Sequence, residues 1–383
     1  MDHELIVVGA GPVGASLARA ARGMRVALVS HERRAARPIG GEAFDARVYA
    51  LSPGNVAFLR ELGAWDALPQ ERLAPVYAMR VYGDDGASSL DFDAYRAGVP
   101  ELAWIVEDAA LQDALWRVLD VEVFAPAQCE KLELHSEKVI LKLRDGRGLA
   151  GKLVVGADGA NSFVRRAAGI RAAEKEYGQT AVVANFRCAK PHGGTAFQWF
   201  QGGPVLALLP LPGDQVSMVW SLPAVQAERI ARLDPAALCR EVEAASRRTL
   251  GTLSLAAPHK SYALRRLSAR RLVVPRVALV GDAGHVIHPL AGQGLNLGLQ
   301  DARTLAATLA GRAPARDPGE LRLLRRYERA RAEPILAMDA VVGGLFNLFS
   351  SESALLARLR NAGLNLTDRL PVLKNILVRH AMS

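Results

Sequence analysis

The sequence predicts an α/β fold: a discontinuous nucleotide-binding half, a lobe of mixed β-sheet, and helices at the C-terminus. Three features predict it. An N-terminal strand runs into a glycine-rich turn and a helix, two more glycine-marked strand–turn–helix junctions lie far downstream, and a strand-rich middle separates those two. At 383 residues the chain is long enough for two lobes that share a ligand.

The first junction opens the chain. Residues 5–8 are a short apolar run with β-branched members, followed by Gly9-Ala-Gly11-Pro-Val-Gly14, an alanine-rich helical stretch to about Arg22 and a second apolar run at Val26–Val29. Strand, tight turn, helix and parallel strand at this spacing make a dinucleotide fingerprint in its proper context. Gly9 permits the turn, Gly11 lets the backbone approach a pyrophosphate, and Gly14 lets helix and strand pack closely; the helix N-terminus offers N–H groups to the anion. An acidic residue should end the second strand and hold an adenosine ribose. Ser30 has that place here, with Glu32 two residues on. Either Glu32 reaches back, or it is a surface residue before two arginines and the ribose contact is weakened.

Residues 75–105, with YAMRVYGDDGASSLDF, form a hairpin pattern belonging to the second lobe. The second junction is KLVVGADGANSFVRRAAGI: a strand at 153–155, then Gly156-Ala-Asp158-Gly159, with Ser162 and Arg165 opening a helix. The middle, 177–264, alternates apolar and aromatic residues between glycine and proline turns, which predicts a mixed sheet with Trp199 and Phe200 in its core. The third junction is a strand at 277–280 that enters Gly281-Asp282; leucines or alanines at 295, 299, 302, 306 and 309 then mark a helix. Three such turns ask for a long cofactor. His285 and His288, three apart and with no Asp, Glu or Cys at ligand spacing, have the pattern of structural residues rather than metal ligands.

Half of the residues are hydrophobic and 23% are charged, with no low-complexity tract or internal repeat, which excludes a disordered chain. The formal net charge of +9 suits an anionic partner: a dinucleotide, a phospholipid surface or nucleic acid. No basic block is interleaved with aromatic residues, so no nucleic acid partner is expected. Cys129, Cys188 and Cys239 are too far apart for a disulfide framework or a CxxC pair and fit a reducing cytosolic setting. The N-terminus lacks the pattern of a secretory signal, and no stretch reaches the roughly 18 to 20 apolar residues of a spanning helix. A soluble or membrane-surface protein is expected.

The three junctions together resemble the FAD-dependent aromatic hydroxylases, flavoprotein monooxygenases related to para-hydroxybenzoate hydroxylase. Within that family, VALVGDAGHVIHPLAGQGLNLGLQDARTLA is very similar to the signature of the ubiquinone-biosynthesis hydroxylases, the UbiH, UbiF, UbiI and eukaryotic Coq6 group. FDARVYALSPGNVAFLRELGAWDAL, VEDAALQDAL, YGQTAVVANF and LRNAGLNLTDRLPVLKNILVRHAMS agree in the same order, so the resemblance covers essentially the whole chain. It implies a Rossmann-like, glutathione-reductase-type FAD-binding domain over 1–74, 106–176 and 265–340, a substrate-binding β-sheet lobe over 75–105 and 177–264, and a C-terminal helical segment over 341–383.

By this resemblance Asp158-Gly159 lies near the flavin and the entering nicotinamide. Gly281-Asp282 binds the ribityl chain, whose hydroxyls donate to a carboxylate. The segment after Asp282 lies along the isoalloxazine ring: Pro289, Gly292 and Gly294 present backbone rather than bulk, and Leu295 and Asn296 aim helix N–H groups at the N1/C2=O edge. Arg47 reaches the flavin or its phosphates and Gln112 touches the cofactor, against the plainer alternatives of a surface ion pair and a helix-surface glutamine. Where the group usually has Asn-Arg after Val-Glu, this chain has Asp108-Ala109, so that arginine's contact is absent or replaced.

The implied reaction is hydroxylation of a polyprenylated phenol in ubiquinone biosynthesis. NADH or NADPH, visiting without a Rossmann domain of its own, reduces FAD; O2 is captured as a flavin C4a-hydroperoxide and its distal oxygen passes to an electron-rich ring. No side chain stands out as an obligatory acid or base. The expected partners are a prenylated phenol or quinone precursor and a membrane surface or a ubiquinone-biosynthesis complex, with a homo-oligomer left open. The expected location is the cytoplasm, peripheral on the inner membrane. Leu345, Phe346, Leu348 and Phe349, then Arg358, Arg360, Arg369, Lys374 and Arg379, suit a basic docking surface or a helix pair packed on the FAD domain equally well. Two alternatives stand beside the main expectation: a hydroxylase of a small soluble phenol, and a flavin-free, non-catalytic scaffold subunit of a membrane-associated biosynthetic complex.

Overall fold

The computed structural model describes residues 3–33, 43–85, 88–288 and 292–350, with 345–350 described by backbone alone. Its first sheet is parallel at the centre. Val277–Leu279, Gly148–Gly156, His3–Val8, Val26–Val29 and Glu122–Phe124 lie side by side in that order, each parallel to the next. Strands covered on both faces need no polar alternation, and Leu5, Ile6, Val7, Val154 and Val155 are accordingly all sealed from solvent. The helix Pro12–Ala20 supplies the crossover between the first two strands, because a parallel pair cannot be closed by a tight turn. On one side of the sheet this helix packs with Pro53–Glu61, Asp108–Arg117, Gly294–Ala310 and the first turns of Leu321–Ser350 around Leu17, Leu59, Leu111, Leu299 and Tyr327.

Among the described residues the second sheet has nine strands and is mixed: Thr195–Phe200 runs parallel to Ala78–Tyr82, while the remaining pairs are antiparallel. Ala78–Tyr82 and Ser89–Asp93 form the hairpin, in register Ala78↔Asp93 to Tyr82↔Ser89. Trp199 is buried at 1% exposure in the core of this lobe, whereas Phe200, at 5%, packs with Val205, Ile287, Leu297 and Val342, between the sheet and the last two helices. The strands Ala172–Cys188 and Lys260–Ala269 are longer than the sequence pattern suggests and run through residues 176 and 264, pairing from Ala172↔Ala269 to Val183↔Lys260. The edge strand of this sheet, His285–Val286, belongs to the third glycine junction and pairs Leu267↔Val286. The second sheet is thus fastened directly to the loop that follows Asp282.

Leu321–Ser350 is a single helix that passes through residue 340 without a break. Among the described residues no helix is long and apolar enough to cross a membrane.

Candidate cofactor cleft

The three glycine junctions, far apart in sequence, meet in space. Gly9 has φ +105°, and a Cβ there would collide with the Ala157 carbonyl and lie 2.8 Å from the Asp158 Cα, so the first two junctions touch. Gly281, at φ +58°, backs onto Val13, and a Cβ on Gly298 of the next helix would come within 2.6 Å of the same valine. The helices Pro12–Ala20 and Gly294–Ala310 therefore begin side by side. Gly14 backs onto the Gly9 carbonyl oxygen and leaves no space for a side chain.

No described side chain caps either helix N-terminus. Gly11 is the N-cap of Pro12–Ala20, no side chain caps it and no acid stands in the first turn; a Cβ on Gly11 would meet nothing within 4 Å. In Gly294–Ala310 the first intrahelical bond runs from Leu297 N–H to the Gln293 carbonyl, so the N–H groups of Gly294, Leu295 and Asn296 precede it. Two N-termini side by side, neither capped by a described side chain, fit a dinucleotide's phosphates and the electron-rich edge of its ring. Asp158 adds a second sign of fit. Its Oδ2 accepts from the N–H groups of Phe163 at 2.7 Å and Val164 at 3.2 Å, capping the helix Phe163–Ala167, while its Oδ1 is buried with no hydrogen-bond partner. Gly159 beside it has φ +76°, a conformation that favours glycine.

Along the cleft runs a polar cluster. Asp282 is exposed to the cleft but crowded, and loss of water raises its carboxyl above the ordinary range against the pull of His285, Arg47 and Arg265. Burial acts to lower the Arg47 pKa, but the fields of Tyr49, Asp108 and Asp282 outweigh it and the net shift is upward. The Arg47 guanidinium lies 5.3 Å from the centre of the Tyr49 ring. Asp108 Oδ1 accepts from Tyr49 Oη at 3.0 Å and from Gln112 Nε2 at 2.5 Å. Gln112 and Tyr49 thus meet at Asp108, the residue at which this chain departs from the pattern of the group it resembles, and Arg47 lies over Tyr49 within the field of Asp108 and Asp282. Trp116 Nε1, on the same helix as Gln112, donates to the Ala10 carbonyl at 3.0 Å and ties that helix to the first turn.

Other expected contacts fall differently. Ser30 is buried and its hydroxyl donates to the Glu32 carbonyl at 2.8 Å, whereas the Glu32 side chain is solvent-exposed, 3.6 Å from His31. Asn296 is buried and its amide is fully engaged: Oδ1 accepts from Ser52 N at 3.0 Å and Asn55 Nδ2 at 2.9 Å, and Nδ2 donates to the Ala50 carbonyl at 2.8 Å. Gly292, at φ +61°, is exposed and Leu295 half-buried. Pro289 and the stretch 351–383 lie outside the described residues.

Behind the cleft lies a charged network with no motif of its own. Asp301, wholly buried, accepts from Gly281 N at 2.9 Å and meets His285 Nε2 at 2.6 Å through Oδ2, and its Oδ1 accepts from Arg331 Nε at 2.6 Å. Burial pushes the Asp301 carboxyl up, but His285 and Arg331 win and hold it below the ordinary range; burial likewise lowers the His285 pKa, and Asp301 reverses that. His285 is therefore structural, with its partner 16 residues away. The available signal was the placing of an acid at 301 and an arginine at 331 on helix faces that are otherwise apolar. His288 is buried too, and loss of water lowers its pKa to about 4; Nε2 meets Gln179 Oε1 at 3.0 Å. No described group of His, Cys, Asp or Glu is placed to hold a metal ion.

Residues 2–339 match the family described as FAD binding domain. The chain is 34% identical to ubiquinone hydroxylase UbiL of Rhodospirillum rubrum, over 99% of its own length and 89% of the relative's. To 3-demethoxyubiquinol 3-hydroxylase of Escherichia coli it is 33% identical, over 99% and 98%. Among solved structures, p-nitrophenol 4-monooxygenase PnpA from Pseudomonas putida superimposes with a TM-score of 0.78 at 18% identity, covering 100% of this chain and 98% of that one. PqsL from Pseudomonas aeruginosa, a probable FAD-dependent monooxygenase, gives 0.77 at 23% identity, over 95% and 99%. These two likenesses show the fold. With the cleft formed where its three glycine junctions meet, the chain belongs to the family of FAD-binding monooxygenases and is related to the ubiquinone-biosynthesis hydroxylases.

Proposed function

We propose that this protein is an FAD-dependent aromatic-ring monooxygenase that takes NADH or NADPH and O2 and hydroxylates a polyprenylated phenol, a quinone precursor of ubiquinone biosynthesis. The observation that carries the substrate class is similarity at 33% to 34% identity, along nearly the whole of both chains, to two relatives named for ubiquinone hydroxylation. Bound in the cleft, FAD supplies the redox chemistry that activates O2. The chain's own residues do the rest. The N-terminus of Pro12–Ala20, with Gly11 cleared of a side chain, binds the pyrophosphate. Asp282 accepts hydrogen bonds from ribityl hydroxyls while Arg47 holds positive charge nearby. The N–H groups of Gly294, Leu295 and Asn296 stabilise negative charge at the ring edge without rearranging, because Asn296 is locked to Ser52 and Asn55. The second sheet, joined to the loop after Asp282 through the pairing Leu267↔Val286, would help to keep water from a ring bound there.

A polyprenyl tail is hydrocarbon, and each CH₂ removed from water is worth about 0.8 kcal/mol. The substrate therefore arrives from a bilayer or a lipid carrier, and the protein works at the membrane surface. The visible spectrum of the purified protein, with and without added FAD, followed by NAD(P)H addition under argon, tests the cofactor. Flavin absorption that bleaches with nicotinamide is expected, whereas a colourless protein that takes up no FAD favours the scaffold alternative. Hydroxylation of a detergent-solubilised polyprenyl phenol coupled to NAD(P)H oxidation tests the substrate class. Turnover confined to small soluble phenols would overturn it.

A further inference from the structure

The helix Leu321–Ser350 has an inner face that carries Leu323, Leu324, Tyr327, Arg331 and Val342 into the protein. Its outer stripe changes character along the helix. Arg322, Arg325, Arg326 and Arg329 are exposed first and Glu333 follows; then Leu336, Ala337, Ala340, Val341 and Gly344 are exposed. Leu336 is 67% and Val341 57% exposed, in a helix whose other side is tightly packed. Spacings of three and four residues keep all of these on one side. The helix is also braced against rolling. Arg266 of the long strand Lys260–Ala269 donates Nε to Asp339 Oδ1 at 2.8 Å, Glu328 accepts from Leu272 N at 2.9 Å, and Arg331 holds Asp301.

A single exposed leucine on a helix is ordinary, but Leu336 and Val341 stand together among exposed Ala337, Ala340 and Gly344, with no charged side chain between them on that stripe. A stripe that is cationic at one end and bare at the other fits an anionic lipid interface, where guanidiniums meet phosphates and apolar turns enter the acyl boundary. A second copy of the chain fits less well. A two-fold contact between antiparallel helices sets the arginines of each against the apolar turns of the other, and a parallel one sets arginine against arginine; neither gives the guanidiniums a partner. We propose that this stripe is the face on which the protein rests on an anionic phospholipid bilayer. Its purpose rests on the polyprenylated substrate proposed above. The position suits that purpose, because Val342 and Met338 of the same helix pack with Ile287 and Leu297 on the two segments that bound the cleft. Bilayer and cleft are then separated by about one helix diameter, on the order of 10 Å.

Flotation of the FAD-loaded protein with vesicles of phosphatidylcholine alone, or with phosphatidylglycerol added, tests this. Binding is expected with the anionic vesicles and should weaken in high salt. Replacing Arg325, Arg326 and Arg329 together by Gln should lower the partition coefficient by about fivefold per arginine. Leu336→Asp with Val341→Asp should lower it further, with flavin absorption and circular dichroism unchanged. Wild type that stays unbound overturns the proposal, and so do variants that float like wild type, since binding then lies elsewhere, residues 351–383 included. A dimer in light scattering that Leu336→Asp disperses would assign the stripe to a second copy instead. Turnover of a detergent-solubilised polyprenyl phenol, measured in parallel, separates the two ideas: turnover without flotation removes the surface and leaves the reaction, and flotation without turnover does the reverse.

Discussion

The turn at residues 9–14 and the segment at 281–296 serve one cleft, but different physics holds each in place. In the first, backbone sterics dominate: Gly9 lies against Ala157, Gly14 against the Gly9 carbonyl, no side chain caps the helix, and Trp116 adds one neutral hydrogen bond to the Ala10 carbonyl. In the second, side chains from distant parts of the chain do the holding. Asp301 takes the Gly281 N–H, Arg331 and His285 hold Asp301, and Asn296 is pinned to Ser52, Asn55 and Ala50. The first region should therefore fail on one added carbon, and the second on one altered charge.

Gly14→Ala is the strongest way to break that contrast. Its Cβ would fall on the Gly9 carbonyl oxygen, which is backbone and cannot swing aside, so helix and strand must separate. We expect a loss above about 4 kcal/mol, seen as insoluble protein or a collapsed thermal melt. A wild-type melt would mean that the helix slides freely and that the turn is not sterically defined. Asp301→Asn comes next. It leaves Arg331 and His285 facing an amide in a buried site, and removing one partner of a buried ion pair costs about 3 to 5 kcal/mol. Chemical denaturation of the apoprotein measures it, and combining it with His285→Gln should be less than additive because the two share one network.

The same contrast explains what was legible in the sequence. Glycine spacing is a local code, so the three junctions, their strands and the helix after Gly294 could be placed from residues a few positions apart. Alternation placed the hairpin around 78–93 and the core position of Trp199 in the same way. Networks closed by tertiary contact carry no such code. Asp301 sits 16 residues from His285, Arg331 a further 30 beyond it, and Asn55 is 241 residues from Asn296. Asp108 was legible only as a departure, and its role in gathering Tyr49 and Gln112 appears once a strand and a helix are brought together. Glu32 shows the converse, a residue noticed for its charge whose side chain faces solvent.

His285 and His288 sharpen the second half of the comparison by pH. His288 has a folded pKa of about 4 against an ordinary 6.5, so the unfolded chain takes a proton first as pH falls. Its stabilising contribution is present above 6.5 and is lost between 6.5 and about 4, at about 1.4 kcal/mol per pH unit or some 3 kcal/mol in all. His285 runs the other way. Its pKa is raised by Asp301, so its contribution is present below 6.5 and fades as pH rises through the folded value. Urea melts at pH 7 and pH 5 should show wild type losing more stability than His288→Gln, which keeps an N–H donor for Gln179. Equal losses would mean that His288 titrates as it does in the unfolded chain.

The smallest effect on stability is also the sharpest test of the first region. Gly11 has φ −68° and ψ −178°, which alanine adopts without strain, and its Cβ would meet no protein atom within 4 Å. Gly11→Ala should therefore melt like wild type, or about 0.4 to 1 kcal/mol higher, because alanine restricts the unfolded chain. Its methyl group would occupy the space through which a pyrophosphate approaches the helix N-terminus, so FAD affinity should fall by about 10- to 100-fold, read by quenching of flavin fluorescence. Unchanged affinity would place the pyrophosphate elsewhere. The comparison with Gly14→Ala is internal: one carbon added at two positions three residues apart should disrupt folding at Gly14 and weaken ligand binding alone at Gly11. That separation would arise only if Gly14 clears space for the chain and Gly11 clears it for a ligand.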